Sequence, residues 1–486
     1  MDNFNWVLTT AIFVADLTIL IGLSLRVIMR KREASVTLAW LAVIVLLPIV
    51  GALIYLLLGE NRLGQKRAAH AAASVPMFKK WVAGLNQRLH FDWDRDNFAF
   101  QPVEAQACKV IGLPTLPGND LQLIDEPETF FRLLIEDIDR ARKTCFLEFY
   151  IWEKGGLADE VADAVIRAVQ RGVTCRVLLD SIGSDSFLAS SRAKEMKNLG
   201  IEIVEALPAG ILRALFVRID LRNHRKIAII DGEVAYTGSQ NLVDPFIFKQ
   251  DEDVGEWLDT MVRVRGPVVE AMTATFFYDW FVESEISQQE LSDIGEIPEA
   301  TVSGNALVQL VPSGPGFEHG GIHDLLLTTI YTARRELVLT SPYFVPDNSI
   351  LAALKSASQR GVEVTVIVPR KNDSRLVQYA SRARYSELAR SGVRIMTFGE
   401  GLLHAKTITV DREFSLIGSV NLDMRSFWLN FELTLFVYNT DFTEKLRTVQ
   451  RQYIQRSVLL DPPLFARRSF FTRLKENCAL LLGPLL

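Results

Sequence analysis

The chain is short of cysteine and histidine. Its 486 residues include four cysteines, Cys108, Cys145, Cys175 and Cys478, with no CxxC pair and no metal-like spacing. A disulfide framework or a cysteine zinc site is thereby excluded, and buried free thiols are the expectation. A basic excess is also missing: 53 Lys and Arg face 58 Asp and Glu, for a net charge of −5. A general nucleic-acid binder is more often strongly basic, so nucleic acid is not an expected partner. No Lys or Arg precedes the first apolar run, so the basic start of a cleavable signal peptide is absent. No carboxylate cluster has metal-ligand spacing, and neither a metal nor a cofactor is expected.

What is abundant is apolar sequence, 49% of the chain, concentrated at the N-terminus. Residues 6–25 read WVLTTAIFVADLTILIGLSL, with Asp16 as the one charge, and residues 36–58 read VTLAWLAVIVLLPIVGALIYLLL, with none. Each reaches the roughly 20 residues that a helix needs to cross a ~30 Å hydrocarbon layer. The two runs predict a membrane anchor over 1–60 with two transmembrane helices, kinked at Pro48. Basic residues flank both sides (Arg26, Arg30, Lys31 and Arg32; Arg62, Lys66 and Arg67), so the positive-inside rule leaves the orientation open.

The rest of the chain repeats itself. ARKTCFLEFYIW, VIRAVQRGVTCRVLLD and MKNLGIEIVEA are echoed by ARRELVLTSPYFVP, ALKSASQRGVEVTVIVP and LARSGVRIMTF. Strand-like runs alternating with helical patterns predict an α/β fold with a largely parallel sheet. Gly172 and Gly361 are expected to cap the helices before the next strands. The expected organisation is a juxtamembrane linker over 61–125 that holds the turn-rich PTLPGND, one α/β unit over 126–282, an acidic linker over 283–304, a second unit over 305–465 and a basic, apolar tail over 466–486. Duplicated units of this kind commonly pack about a pseudo-twofold axis.

Each unit carries the same motif. NHRKIAIIDGEVAYTGSQN contains His224, Lys226, Asp231, Gly238, Ser239 and Asn241, and HAKTITVDREFSLIGSVN contains His404, Lys406, Asp411, Gly418, Ser419 and Asn421. The pattern H-x-K-x4-D-x6-G-S-x-N occurs twice with identical spacing, although the chain has only six histidines. Alternation along a strand puts His224 and Lys226 on one face. Asp231-Gly232 is a strong hairpin-turn signal and Asp411-Arg412-Glu413 a weaker one.

Two histidines and two lysines around one phosphate suit metal-free phosphoryl chemistry. One unprotonated imidazole attacks phosphorus, the other donates a proton to the leaving alcohol, and the lysines hold the phosphate oxygens. Each histidine needs an orienting acceptor. Asp231 and Asp411 sit at the turn and are expected to stabilise the hairpin as much as to serve the chemistry. Better placed are Asp259, in competition with Glu256, after the first copy, and Glu432 after the second.

The paired motifs resemble the phospholipase D superfamily. With the N-terminal apolar hairpin, EFYIWEKGG, NLVDPFIFKQD, PRKNDS and VNLDMRSFWLNFE, the chain is similar to the bacterial phospholipase D-type cardiolipin synthases over nearly its whole length. The resemblance implies two tandem phospholipase D-like units and a multi-pass protein of the bacterial inner membrane. It also implies a phosphatidyl transfer between two phosphatidylglycerol molecules through a phosphatidyl-histidine. By analogy His224 is the nucleophile and His404 the acid/base, with Lys226, Asp231, Lys406 and Asp411 catalytic and Ser239, Asn241, Ser419 and Asn421 supporting the phosphate. The rivals are a hydrolase, in which water resolves the intermediate, a transferase using phosphatidylethanolamine or another alcohol, and a silent membrane scaffold. The tail LFARRSFFTRLKENCALLLGPLL is too short and interrupted to span a membrane and reads equally as an interfacial or a packed terminal helix.

Overall fold

The computed structural model describes residues 2–483 apart from 31–33, 61, 63, 90, 92, 94–98, 209–217, 219, 250–253, 285–296 and 318–319. Most of the expected acidic linker, the end of NLVDPFIFKQD, and Lys31 and Arg32 lie outside the described residues. The chain divides into two compact units, residues 1–66 with 209–221, and residues 67–208 with 222–486.

The first unit contains the helices Asp2–Met29, Ala34–Leu46 and Pro48–Leu58. Pro48 has no N–H and its ring collides with the preceding turn, so the second apolar run is two helices that meet at Leu47. Val27, Ile44 and Tyr55 form a small core. Below it, the Glu60 carboxylate accepts two bonds from Arg26, both 2.7 Å, and one from Tyr55 Oη at 2.9 Å. Among the described residues no helix is long and apolar enough to cross a membrane.

Among the described residues the second unit is built on one sheet of fifteen strands. Those of the first repeat are β1 (Leu116–Ile124), β2 (Thr144–Phe149), β3 (Thr174–Asp180), β4 (Glu202–Ala206), β5 (Ile227–Ile230), β6 (Val234–Gly238) and β7 (Met261–Arg265). The second repeat supplies β8 (Ala306–Ser313), β9 (Glu336–Thr340), β10 (Glu363–Pro369), β11 (Arg394–Phe398), β12 (Thr407–Val410), β13 (Phe414–Gly418) and β14 (Glu432–Tyr438), and β15 (Ser457–Leu459) closes the edge. The spatial order is β4-β3-β2-β5-β6-β7-β1-β8-β14-β13-β12-β9-β10-β11-β15. The second half is the first in mirrored order, each strand replaced by its equivalent seven places later. β1 and β8 meet antiparallel at the centre, with Leu116 opposite Val308 and Asn119 opposite Ala306, as a twofold axis between them requires.

The sheet is mixed rather than largely parallel. Only β2-β3-β4 and β9-β10-β11, the strands of the alternating α/β passages, run parallel. The motif hairpins β5-β6 and β12-β13 run back against β2 and β9 and make the centre antiparallel. The sheet also begins earlier than the expected linker boundary. PTLPGND reads as a turn, but its glycine, Gly118 at φ +86°, sits in an irregularity of β1 between Leu116 and Asn119.

Alternation along the strands feeds two cores. Ile227 and Ile229 of β5 join a large cluster that continues through Val262, Leu310, Leu433 and Phe436, so the two repeats share one core. Ala228 and Ile230 point to the opposite face, into a cluster with Phe130, Leu134, Val161 and Val165 of the helices Pro127–Arg140 and Leu157–Gln170. Gly172 and Gly361, at φ +89° and +90°, end the helices before β3 and β10.

Candidate active site

Each motif histidine is stitched onto the other repeat. The segment 222–224 lies against Phe431: its N–H donates to Arg222 O, and His224 N–H donates to Phe431 O, both at 2.9 Å. Reciprocally, the N–H groups of His404 and Ala405 donate to Leu258 O at 2.8 and 2.9 Å, where Leu402–Leu403 pairs parallel with Trp257–Leu258. The residue after each stitch is an acid. His224 Nδ1 lies 2.9 Å from Glu432 Oε2, and His404 Nδ1 lies 2.7 Å from Asp259 Oδ1. The orienting carboxylates are therefore exchanged between the repeats, and the local pairing expected from chain order does not form. Glu256 contributes its backbone, accepting from Leu402 N–H at 2.8 Å, while its carboxyl is not a histidine partner.

His224 and Lys226 precede β5, just before the strand begins at Ile227. Lys226 Nζ donates to His224 O at 2.7 Å and Lys406 Nζ to His404 O at 2.6 Å. Each ammonium is thus fixed beside its own histidine. The glycines of G-S-x-N are needed for close approach: a Cβ on Gly238 would strike the carbonyl of Thr260, just before β7, and one on Gly418 that of Leu433 in β14. Next to each glycine a serine locks the strand behind the acid. Ser239 Oγ accepts from Thr260 N–H at 3.0 Å and Ser419 Oγ from Leu433 N–H at 2.9 Å. Asn241 Oδ1 accepts from Ile151 N–H at 3.1 Å. Asn421 is buried, and its N–H donates to Ser426 Oγ at 3.2 Å.

Asp231 and Asp411 are not brought to the histidines. Both sit at the far end of a four-residue strand. Asp231 accepts from the N–H groups of Arg142, Lys143 and Thr144 at 2.7–2.9 Å, and Asp411 from those of Arg334, Arg335 and Glu336 at 2.7–3.0 Å. Both turns place two residues at positive φ: Asp231 at +55° and Gly232 at +68°, Asp411 at +52° and Arg412 at +63°. The second copy makes the same turn as the first despite its weaker signal, and Arg412 Nε reaches Glu336 Oε2 at 3.2 Å.

The family model described as "Cardiolipin synthase, PLD-like domain" matches residues 134–280 and 326–453, one match over each motif, and "Phospholipase_D-nuclease N-terminal" matches 19–60. Cardiolipin synthase A of Cronobacter sakazakii is 44% identical over 490 residues, and that of Salmonella arizonae 43% over 488, each covering 100% of both chains. The chain belongs to the phospholipase D-type cardiolipin synthases. Phosphatidylserine synthase of Haemophilus influenzae shares the fold, with a TM-score of 0.59 at 16% identity over 79% of this chain and 99% of that one.

In this cardiolipin synthase family member both histidines are buried. Burial drives His224 down to about 4, against the opposing pull of Glu432, and Lys226 and Lys406 add to the depression. His404 is lowered for the same first reason. Burial alone would raise the two acids, but the facing histidine, the nearby lysine and the motif serine outweigh it, so Asp259 falls to about 2 and Glu432 is also lowered. An ionised carboxylate only accepts, so each neutral imidazole keeps its proton on Nδ1 and presents a bare Nε2. Burial lowers Lys226 to about 7 and Lys406 to about 8. Among the described residues no group of three or more His, Cys, Asp or Glu is arranged to hold a metal ion.

Several neighbours escaped the motif. Ser426 Oγ and Asn430 Nδ2 donate to Glu432 Oε1 at 3.0 and 3.3 Å. Tyr150 meets the His224 ring edge-on at 5.0 Å between centroids, and Trp257 lies 4.5 Å from His404. Arg225, fully buried, donates to Glu432 O at 3.1 Å and Ser313 O at 3.3 Å and pairs with Asp279. Its counterpart is Ala405, so only the first motif carries this strut. The available signal was the aromatic ending of EFYIW and the polar residues of VNLDMRSFWLNFE, which local spacing cannot assign to either histidine.

Proposed function

We propose that the chain condenses two phosphatidylglycerol molecules into cardiolipin and glycerol. The observation that carries the reading is the exchanged pair of histidine–carboxylate contacts, which gives one site two imidazoles with the same tautomer and two adjacent ammonium groups.

His224 Nε2 attacks the phosphorus of the first lipid. The bond from phosphorus to the glycerol oxygen breaks, and His404, protonated, gives its proton to that oxygen. The anionic phosphodiester favours this charged form on binding, against the burial that disfavours it in the free protein. Glycerol leaves a phosphatidyl-His224. The terminal hydroxyl of the second phosphatidylglycerol then yields its proton to His404 and attacks phosphorus, breaking the P–N bond. Lys226 and Lys406 hold the non-bridging oxygens in both steps. Asp259 and Glu432 stabilise the imidazolium forms, and Ser239, Asn241, Ser419 and Asn421 support the phosphate site by fixing its walls. The chemistry is also open to exchange of the two histidine roles.

The protein works at a membrane. Supporting this, the helix Asp2–Met29 carries exposed Trp6, Phe13, Leu17, Ile21, Leu25 and Ile28, an apolar surface costly to leave in water. We assign residues 1–60 as a two-pass anchor in the bacterial inner membrane, with catalytic units near 126–282 and 305–465.

Reconstitution of the full chain in phosphatidylglycerol vesicles tests the reaction. Equal amounts of cardiolipin and free glycerol are expected. Phosphatidic acid without cardiolipin would mean that water resolves the intermediate, and the transferase reading would fall.

A further inference from the structure

The helix Phe470–Leu481 has its polarity inverted. Its one acid, Glu476, is 1% exposed. It sits between Arg382 Nε, at 3.0 Å on the helix Arg375–Arg390, and Arg468. Ala479 and Leu480 beside it pack with Val345, Val377, Ala380 and Tyr343. Outside, Phe470, Phe471 and Leu481 are 71%, 72% and 80% exposed. Residues 471, 474, 478 and 481 fall on one helical stripe, and Leu474 and Cys478 on it are exposed as well. A terminal helix packed on a body in water has the opposite distribution.

Charge selects the occupant. The exposed charges of this helix, Arg473 and Lys475, are both positive, and its only carboxylate is buried and paired. An apolar stripe flanked by cations fits the boundary of an anionic bilayer. The place fits too: Tyr343, packed under the helix, has its ring 6.4 Å from that of His404.

We infer that the C-terminal helix Phe470–Leu481 docks on an anionic lipid surface with Phe471, Leu474, Cys478 and Leu481 submerged, and so holds the second repeat's histidine beside the bilayer that supplies its substrate. This rests on the lipid-transferase reading above.

Cys478 is a built-in probe. The full chain carrying Cys108→Ser, with Cys145 and Cys175 buried, takes a nitroxide at Cys478 and is placed in vesicles containing phosphatidylglycerol. Oxygen is expected to reach the label more readily than a water-soluble nickel chelate. A label open to the chelate overturns the docking. So does one equally shielded in vesicles of uncharged phosphatidylcholine alone, since the stripe would then be covered without any part for the anionic surface. In a second measurement, Phe471→Ser with Leu474→Ser is expected to raise KM for vesicle-borne phosphatidylglycerol ~tenfold or more, leaving turnover of a dispersed short-chain phosphatidylglycerol unchanged. Unchanged KM on vesicles also overturns the docking. Absence of transfer by the unsubstituted chain on the short-chain lipid would instead overturn the functional reading, which the label does not report.

Discussion

His224 and Glu432 are 208 residues apart in the chain and 2.9 Å apart in the fold. His404 and Asp259 form the converse pair, 145 residues apart and in contact at 2.7 Å. Each repeat thus supplies the orienting acid for the other. Neither half completes the carboxylate contact of its own motif histidine.

The first prediction follows from this exchange. Glu432→Gln and Asp259→Asn keep the shape of each acceptor, but the amide no longer stabilises an imidazolium or fixes the Nδ1–H tautomer. Turnover should fall roughly 10²–10⁴-fold in either variant, with KM little changed and the circular-dichroism spectrum retained. A variant that keeps more than half of the activity would remove the acid from the mechanism.

A covalent trap separates the two histidines. Phosphatidylglycerol labelled in the phosphatidyl group is incubated with His404→Ala and with His224→Ala, and the denatured protein is counted. Label is expected on His404→Ala, which lacks the group that activates the second alcohol, and none on His224→Ala. The reverse pattern exchanges the roles, and no label on either variant, together with none on the unsubstituted chain quenched during turnover, contradicts the phosphatidyl-histidine.

The pH profile has a defined sign. In the proposed reaction Lys226 and Lys406 must be charged to hold the phosphodiester. With values lowered to about 7 and about 8, their charge is present below those pH values and lost as the pH rises through them. The kcat/KM, which reports the free enzyme, should therefore fall as the pH rises, first as His404, lowered by burial, loses the proton it donates and then across the lysine interval, while kcat, with the anion bound, holds to higher pH. His224, lowered to about 4, must be unprotonated and sets an acid limb near that value. A kcat/KM flat from ~6 to ~9 would contradict the depressed lysines.

Asp231 should behave as a structural residue. Asp231→Ala removes acceptors from three backbone N–H groups at 2.7–2.9 Å, and loss of such charged bonds costs about 2 kcal/mol or more. The melting temperature should drop by several degrees while kcat per folded molecule stays within about threefold. A large loss of kcat with an unchanged melting temperature would return Asp231 to the chemistry.

Much of this was legible in order along the chain. The duplicated H-x-K-x4-D-x6-G-S-x-N pattern located both histidines, both lysines and both hairpins, because strand alternation and turn chemistry act over a few residues. The alternating passages announced an α/β fold and two units. They also led to the reading of a largely parallel sheet, because the motif hairpins carry no local sign of running antiparallel at its centre. PTLPGND looked turn-rich for a similar reason, since only pairing with β8 makes its glycine an irregularity inside β1.

The sequence by itself determined the chemical inventory of this protein: two imidazoles, two ammonium groups, three candidate orienting acids (Asp259, Glu256 and Glu432) and an apolar N-terminus. Tertiary structure alone decided which acid serves which histidine. The antiparallel meeting of β1 with β8 sets the two repeats side by side, and each motif then gains its backbone partners at Phe431 or Leu258, one residue before the other repeat's acid. It likewise decided that Glu476 turns inward and Phe471 outward, because one of the two arginines that compensate the buried carboxylate lies 94 residues away on another helix. Pairings at such separations are set by packing, and no local period encodes them.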